Sequence, residues 1–153
     1  MKKVIFLSVF MFVSFLGFSQ ETELVKEEIH LNWVDSYKDA LKKAKKEKKP
    51  LLIYFTGSDW CGPCIRLDKK LFHTQKFKDF SDENMVLYMA DFPRNRDLVS
   101  KEARKYNKKL KEQHVVDSFP AIIVVDGKEN VLGEKRGSYM VEYYFPFFES
   151  LIK

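Results

Sequence analysis

Two cysteines and three histidines are all that 153 residues contain of those types, and this scarcity removes several chemistries at once. Cys61 and Cys64 lie three positions apart, so each can pair only with the other or with another molecule. A disulfide framework of the kind that staples small secreted domains is therefore excluded. A single bridge across two intervening residues also removes little chain entropy, which makes it a poor brace. His30, His73 and His114 are scattered without ligand spacing, so no zinc site forms around the cysteines and each histidine reads as a surface residue. Ile65, not His, follows the second cysteine, which excludes covalent haem attachment. Met85 and Met89 fall on a predicted buried strand, so with Met140 they read as packing residues and not as copper ligands. No internal repeat, low-complexity tract or linker divides the chain. The formal net charge of +5 is mild, and two of its units belong to Lys2 and Lys3. The remaining basic clusters, 42–49 and 101–111, are lysine-rich with few aromatics. They read as solvated helix faces, without a nucleic-acid partner.

The N-terminus carries the longest apolar run. Lys2 and Lys3 precede Val4 to Leu16, and the run ends in Gly17-Phe18-Ser19. That order of basic, apolar and small residues is a secretory signal peptide, and the run is shorter than the roughly 20 residues of a membrane-spanning helix. The expected cut lies between Ser19 and Gln20, giving a signal peptide over 1–19 and one domain over 20–153. No cysteine near the cut offers a lipid acceptor, and no later run is long enough to cross a membrane. Export across the inner membrane to the periplasm follows.

Within the domain, Ser36-x-x-Asp39 is a capping-box pattern, and Tyr37, Leu41 and Ala44 then recur at helical spacing, predicting an N-terminal helix over 36–48. Leu51 to Phe55, bounded by Pro50 and Gly57, reads as a buried central strand. From Cys64 the apolar residues Leu67, Leu71 and Phe72 predict a helix that places Cys61 at its N-terminus. Met85 to Ala90 is a second strand, and Val99, Ala103, Tyr106 and Leu110 stripe a further helix. Ala121 to Val125, the turn Asp126-Gly127 and Asn130 to Lys135 predict a hairpin. Tyr139, Tyr143, Phe147, Leu151 and Ile152 predict the apolar stripe of a closing helix that Pro146 should kink.

The chemistry centres on Trp60-Cys61-Gly62-Pro63-Cys64. A thiol of pKa about 8.5 is only about 3% thiolate at neutral pH, and the thiolate is the nucleophile. The partial positive charge and open N–H groups of a helix N-terminus stabilise that anion, so Cys61, the more exposed thiol, is expected to attack. Cys64, one turn on, is expected to resolve the mixed disulfide. Pro63 suits a first helical turn, Gly62 leaves the approach open, and Trp60 either offers an apolar platform to a peptide or packs on the helix.

This motif after an apolar strand, with Phe119-Pro120 before a later one, resembles the thioredoxin superfamily over roughly residues 33–152. The helix ending in Lys49-Pro50 and the segment Phe55-Thr56-Gly57-Ser58-Asp59-Trp60 are similar to its exported thiol-disulfide oxidoreductases. The resemblance implies an α/β thioredoxin-like fold, a central mixed β-sheet flanked by helices, with an extra N-terminal helix. It implies catalysis by Cys61 and Cys64, no metal, and no cofactor beyond the redox-active Cys61–Cys64 disulfide. It matches Pro120 to a cis-proline whose preceding backbone binds substrate as an added strand, which makes Trp60, Gly62, Pro63, Phe119 and Pro120 the substrate-binding set. The implied partners are thiols and disulfides of exported proteins and a membrane thiol electron donor, with the chain acting as a monomer. The Gly-Pro pair resembles reducing members, for which about −270 mV is typical against about −120 mV for a strong exported oxidant. Reduction or isomerisation of disulfides is the expected activity.

Three residues depart from the family. Tyr54 stands where thioredoxins keep a buried acid that assists proton transfer to the resolving cysteine, Phe119 replaces a small or β-branched residue, and Asp59 occupies a lengthened loop as either a thiol neighbour or a solvated residue. The alternative reading is a non-catalytic thioredoxin-fold module that binds proteins beside Pro120.

Overall fold

The structure is a computed structural model that describes residues 29–152; the expected signal peptide and its cleavage site lie outside the described residues. Helix α1 (Tyr37–Glu47) begins where Ser36 Oγ accepts a hydrogen bond from the Asp39 amide at 3.3 Å, and ends with Lys48 in the left-handed region. Its buried residues Tyr37, Ala40 and Ala44 lie on one face, as the spacing predicts. Strand β1 (Leu51–Thr56) is buried at every position, because helices cover both of its faces. It pairs in parallel with β2 (Val86–Asp91) and antiparallel with β3 (Ala121–Val125), which pairs antiparallel with β4 (Val131–Arg136). The sheet order is β2-β1-β3-β4, a mixed sheet in which the first strand is central.

Alternation along the strands divides the core into two layers. Leu51, Ile53 and Phe55 join Val86, Tyr88, Ile123 and Val125 beneath α1 and α4 (Lys101–Gln113). Leu52 and Tyr54 join Leu87, Ile122 and Val124 on the opposite face. There they meet α2 (Gly62–Leu67), its π-helical continuation (Asp68–Phe72), α3 (Gln75–Asn84) and α5 (Tyr144–Leu151). The segment before α1 straps the outer side of β2: Val34 N–H donates to the Leu87 carbonyl at 2.9 Å, and Trp33 forms a one-residue parallel bridge with Leu87. Trp33 then packs on Phe72 and Tyr54, with ring centroids 5.5 and 6.3 Å away.

Several expectations need correction. Helix α3 has no counterpart in the sequence reading; Thr74 caps it, accepting from the Phe77 amide at 3.2 Å, and Phe77 is its buried anchor. Val99 precedes α4, because Ser100 Oγ caps that helix at the Ala103 amide. The closing helix is shorter than predicted; Phe147, Leu151 and Ile152 of the expected stripe are partly buried against the core, but the fully buried face lies beside them. Tyr139 and Tyr143 lie outside it and are exposed, whereas Tyr144, Phe145 and Phe148 are buried. Pro146 consequently sits in the first turn of α5, where a missing N–H removes no intrahelical bond, and no kink is required. In the hairpin, the Asp126 carboxylate accepts from the Lys128 and Asn130 amides at 2.7 and 2.9 Å, which closes the turn before β4. Among the described residues no helix is long and apolar enough to cross a membrane.

Candidate functional site

The chain leaves β1 at Thr56 and makes a tight turn into α2. The Gly57 carbonyl accepts from the Trp60 and Cys61 amides at 3.2 and 2.8 Å. A side chain at Gly57 has no room, since a Cβ there would fall 2.7 Å from Cζ2 of Trp60. Two carboxylates then tie this turn to the loop after β2. Asp91, buried at the end of β2, accepts from Ser58 N and Oγ at 2.9 and 2.5 Å. Asp59 accepts from the Arg94 and Asn95 amides at 2.9 and 2.8 Å. Those hydrogen bonds hold the Asp59 carboxyl below its ordinary range. Of the two alternatives weighed for Asp59, the structure bears out the exposed loop residue, which also clamps the turn to the loop after β2.

Cys61 is the N-cap of α2, with extended backbone (φ −82°, ψ 95°), and Gly62 and Pro63 occupy the first turn. Cys61 and Cys64 are disulfide-bonded, with Cα atoms 5.2 Å apart. The Cys64 amide donates to Cys61 Sγ at 3.3 Å, so an unsatisfied N–H of the helix start is spent on that sulfur. Cys61 keeps 4% of its surface and Cys64 1%. The exposure expected for Cys61 is thus small in the oxidised form, although the order of the two is as anticipated. Gly62 is exposed, and Nη1 of Arg66 lies 3.6 Å from where its Cβ would be.

An aromatic group flanks the cysteines. Trp60 is 41% exposed, its Nε1 donates to the Phe92 carbonyl at 2.8 Å, and its ring lies 6.0 Å from that of Phe119. Phe119 in turn stacks on Phe92 at 5.2 Å. The unusual residue before Pro120 is thereby built into a surface with Trp60, which is both packed and presented to solvent. The Phe119–Pro120 peptide bond is cis. Because Ala121 pairs with Phe55, this bond lies beside the end of β1, next to the turn that carries the cysteines.

Beneath the cysteines, the hydroxyl of Tyr54 donates to the Cys64 carbonyl at 3.3 Å. Burial pushes the Tyr54 phenol well up, so it stays neutral. A cavity of about 60 Å³ opens between Tyr54, Thr56, Ser58, Cys64, Ile65, Asp68 and Met89. Burial also raises the carboxyl of Asp68, against an opposing effect of His73, whose Nδ1 is 3.2 Å from its Oδ2. Behind β2, the buried Asn107 of α4 accepts from the Tyr88 hydroxyl at 2.5 Å and donates to the Asp91 carbonyl at 2.9 Å. Asp68, Asp91 and Asn107 escaped the sequence reading. Asp68 was within reach of it, four residues beyond Cys64 on one helix face; the other two are joined only by tertiary contact. His114 also departs from the expected surface role, since its Nε2 is buried and has no hydrogen-bond partner in the protein. Among the described residues no group of three or more His, Cys, Asp and Glu is arranged to hold a metal.

The family model for thioredoxin-like domains matches residues 37–149. The disulfide bond reductase DsbH of Chlamydia pneumoniae is 34% identical over 99 residues, 65% of this chain and 58% of that protein. The thioredoxin-related protein DsbJ of the same organism is 30% identical over 97 residues, 63% of this chain and 28% of that protein. The chain thus spans less than two thirds of either relative. A solved DsbH oxidoreductase superposes with a TM-score of 0.72 at 30% identity, covering 81% of this chain and 85% of that one. With the matched region running from α1 into α5 and containing the cysteine turn and Pro120, the chain belongs to the thioredoxin-like family.

Proposed function

We propose that this chain is an exported thiol-disulfide oxidoreductase that reduces or isomerises disulfides of other exported proteins through Cys61 and Cys64. The observation that carries the reading is the disulfide at the start of α2, with Cys61 as N-cap and the Cys64 amide donating to its sulfur. In the reduced form the same N–H and the helix terminus favour a Cys61 thiolate. That thiolate attacks a substrate disulfide, one substrate sulfur leaves as thiolate, and a mixed disulfide forms on Cys61. Cys64 then attacks Cys61, releasing the second substrate thiolate and restoring the Cys61–Cys64 bond. The substrate receives two electrons per turn, which a membrane thiol donor returns to the cysteines.

Substrate is held by the Trp60 and Phe119 surface together with the backbone before Pro120, which receives an extended peptide as an added strand. Gly62 and Pro63 keep the flank of Cys61 low. The name of one relative, the disulfide bond reductase DsbH, supports the reducing direction, and the N-terminal 19 residues support export to the periplasm. A dithiol-driven insulin reduction assay comparing the parent with Cys61→Ser tests the reading. Loss of turnover in the variant is expected, and equal rates would leave a protein-binding module as the function. A glutathione equilibration giving a potential above about −180 mV would reject the reductant assignment.

A further inference from the structure

We infer that Asp68 takes over the proton-accepting task for Cys64 that Tyr54 cannot perform, acting across the small cavity between them. The inference rests on the thiol-disulfide exchange proposed above and assigns one of its steps. Resolution of a mixed disulfide needs the Cys64 thiol to lose its proton, and Cys64 is almost entirely buried. Burial raises a thiol's pKa, so an adjacent acceptor matters more here than in water.

The carboxylates near the cysteine turn can be sorted by what engages them. Asp59 is exposed and bound to two backbone amides, and Asp91 is bound to Ser58 through both oxygens. Tyr54 is neutral and its hydroxyl is directed at the Cys64 carbonyl. Asp68 is the carboxylate that lines the same cavity as Cys64, together with Tyr54, Thr56 and Ser58. At about 60 Å³ the cavity has room for water, which needs little more than about 15 Å³, and its hydroxyls and carboxylate supply polar partners for it. Asp68 is partly buried and one turn beyond Cys64, and it opens the π-helical turn, in which the His73 amide bonds to the Asp68 carbonyl at 2.9 Å. Burial raises its carboxyl toward the range useful for proton exchange at neutral pH. The groups that face it are the Tyr54 phenol from β1 and the His73 ring from the end of its own turn; Asp91 of β2 and Tyr144 of α5 act on Tyr54 from farther off.

In balanced form, the Cys64 proton passes to the Asp68 carboxylate, directly or through water. The Cys64 thiolate then attacks Cys61, the Cys61–substrate S–S bond breaks, and the Cys61–Cys64 bond forms. The departing substrate thiolate carries the electron pair and takes a proton from solvent, to which Asp68 also returns its own. Asp68 is a positioning and proton-relay residue, and it leaves the first attack by Cys61 untouched.

The test is a rapid-quench experiment with reduced protein and a small peptide disulfide, in which the Cys61 mixed disulfide is trapped by acid and quantified by mass spectrometry. Asp68→Asn is expected to slow resolution at least about 100-fold near pH 7, the low end of what a positioned proton acceptor contributes. The mixed disulfide should accumulate, while the alkylation rate of Cys61 stays within about twofold of the parent, since Asp68 acts only on the second step. The deficit should narrow only as the pH rises above the ordinary thiol value of about 8.5, because burial raises Cys64 and solvent removes its proton only in that alkaline range. Asp68→Glu should recover most of the rate, and His73→Gln, which keeps the carboxylate, should resolve like the parent. Parent-like resolution in Asp68→Asn, a deficit that persists unchanged at alkaline pH, or an equal deficit in His73→Gln would overturn the assignment. If the parent forms no mixed disulfide at all, the exchange reading fails and Asp68 with it, an outcome distinct from failure of Asp68 alone.

Discussion

Replacing Asn107 with leucine isolates the contact that links α4 to the end of β2. The amide of Asn107 accepts from the Tyr88 hydroxyl and donates to the Asp91 carbonyl, and all three groups are buried. Burial pushes the Tyr88 phenol up to about 12, so at neutral pH it is a neutral donor that must find an acceptor. Asn107→Leu keeps approximate volume and strands both partners. A stranded buried donor or acceptor costs about 1–3 kcal/mol, so the pair costs about 2–5 kcal/mol after some relaxation. For a domain of this size about 1 kcal/mol corresponds to roughly 4 °C, which predicts a fall in Tm of about 8–20 °C for the oxidised protein. Thermal unfolding followed by far-UV circular dichroism measures it. Combining the change with Tyr88→Phe removes one stranded group, so the double variant should be less destabilised than the sum of the singles by about 1 kcal/mol. A fall of under about 2 °C in the single variant, smaller than one neutral hydrogen bond's worth, would refute the reasoning.

Two further outcomes are expected. Gly57→Ala drives a Cβ into the Trp60 indole, which must swing away and lose its bond to the Phe92 carbonyl; in a Trp33→Phe background the Trp60 emission should shift to the red, and unchanged emission would show that the turn relaxes instead. His114 stacks edge-on to Phe55 at 6.4 Å, and burial lowers its pKa, with Glu129, Glu134 and Arg136 the charges that act on it. The folded state therefore binds its proton less readily than the unfolded state, and stability attributable to this residue is intact above the unfolded value of about 6.5 and declines as the pH falls below it. Urea midpoints should drop less for His114→Gln than for the parent between neutral pH and about pH 5, and parallel curves would refute the linkage.

Legibility followed the range of the interactions. Strand β1 and helix α1 were readable because their signals are local: an unbroken apolar run between Pro50 and Gly57, and a cap at Ser36 with helical spacing after it. The cysteine pair was readable because its chemistry is contained in five consecutive residues. Helix α3 was missed because it buries only Phe77 and Ser81 among polar neighbours, leaving little periodicity to count. Only part of the closing helix's buried face was readable, because aromatics populate both of its sides, and only packing against β1 and α3 selects Tyr144 and Phe148 over Tyr139 and Tyr143. Asp91 lies far downstream at the end of β2, whereas Asp59 adjoins the redox motif in sequence. Their roles emerge only when the loop after β2 folds against the turn that carries it.

The strap at Trp33 gives the sheet two unlike sides. On the β2 side, Val34 and Trp33 occupy the Leu87 positions to which another strand would bond. On the β4 side, the backbone is the edge of the sheet, and Val131 and Leu132 stand exposed at its start. At the β4 edge the charged run Glu134-Lys135-Arg136 stands in the way of edge-to-edge pairing between copies, with Arg136 held to Glu134 at 3.0 Å and to the His114 and Val115 carbonyls at 2.8 Å. The sheet is thus guarded against fibrous self-association by a tryptophan strap on its β2 flank and a fixed arginine on its β4 flank.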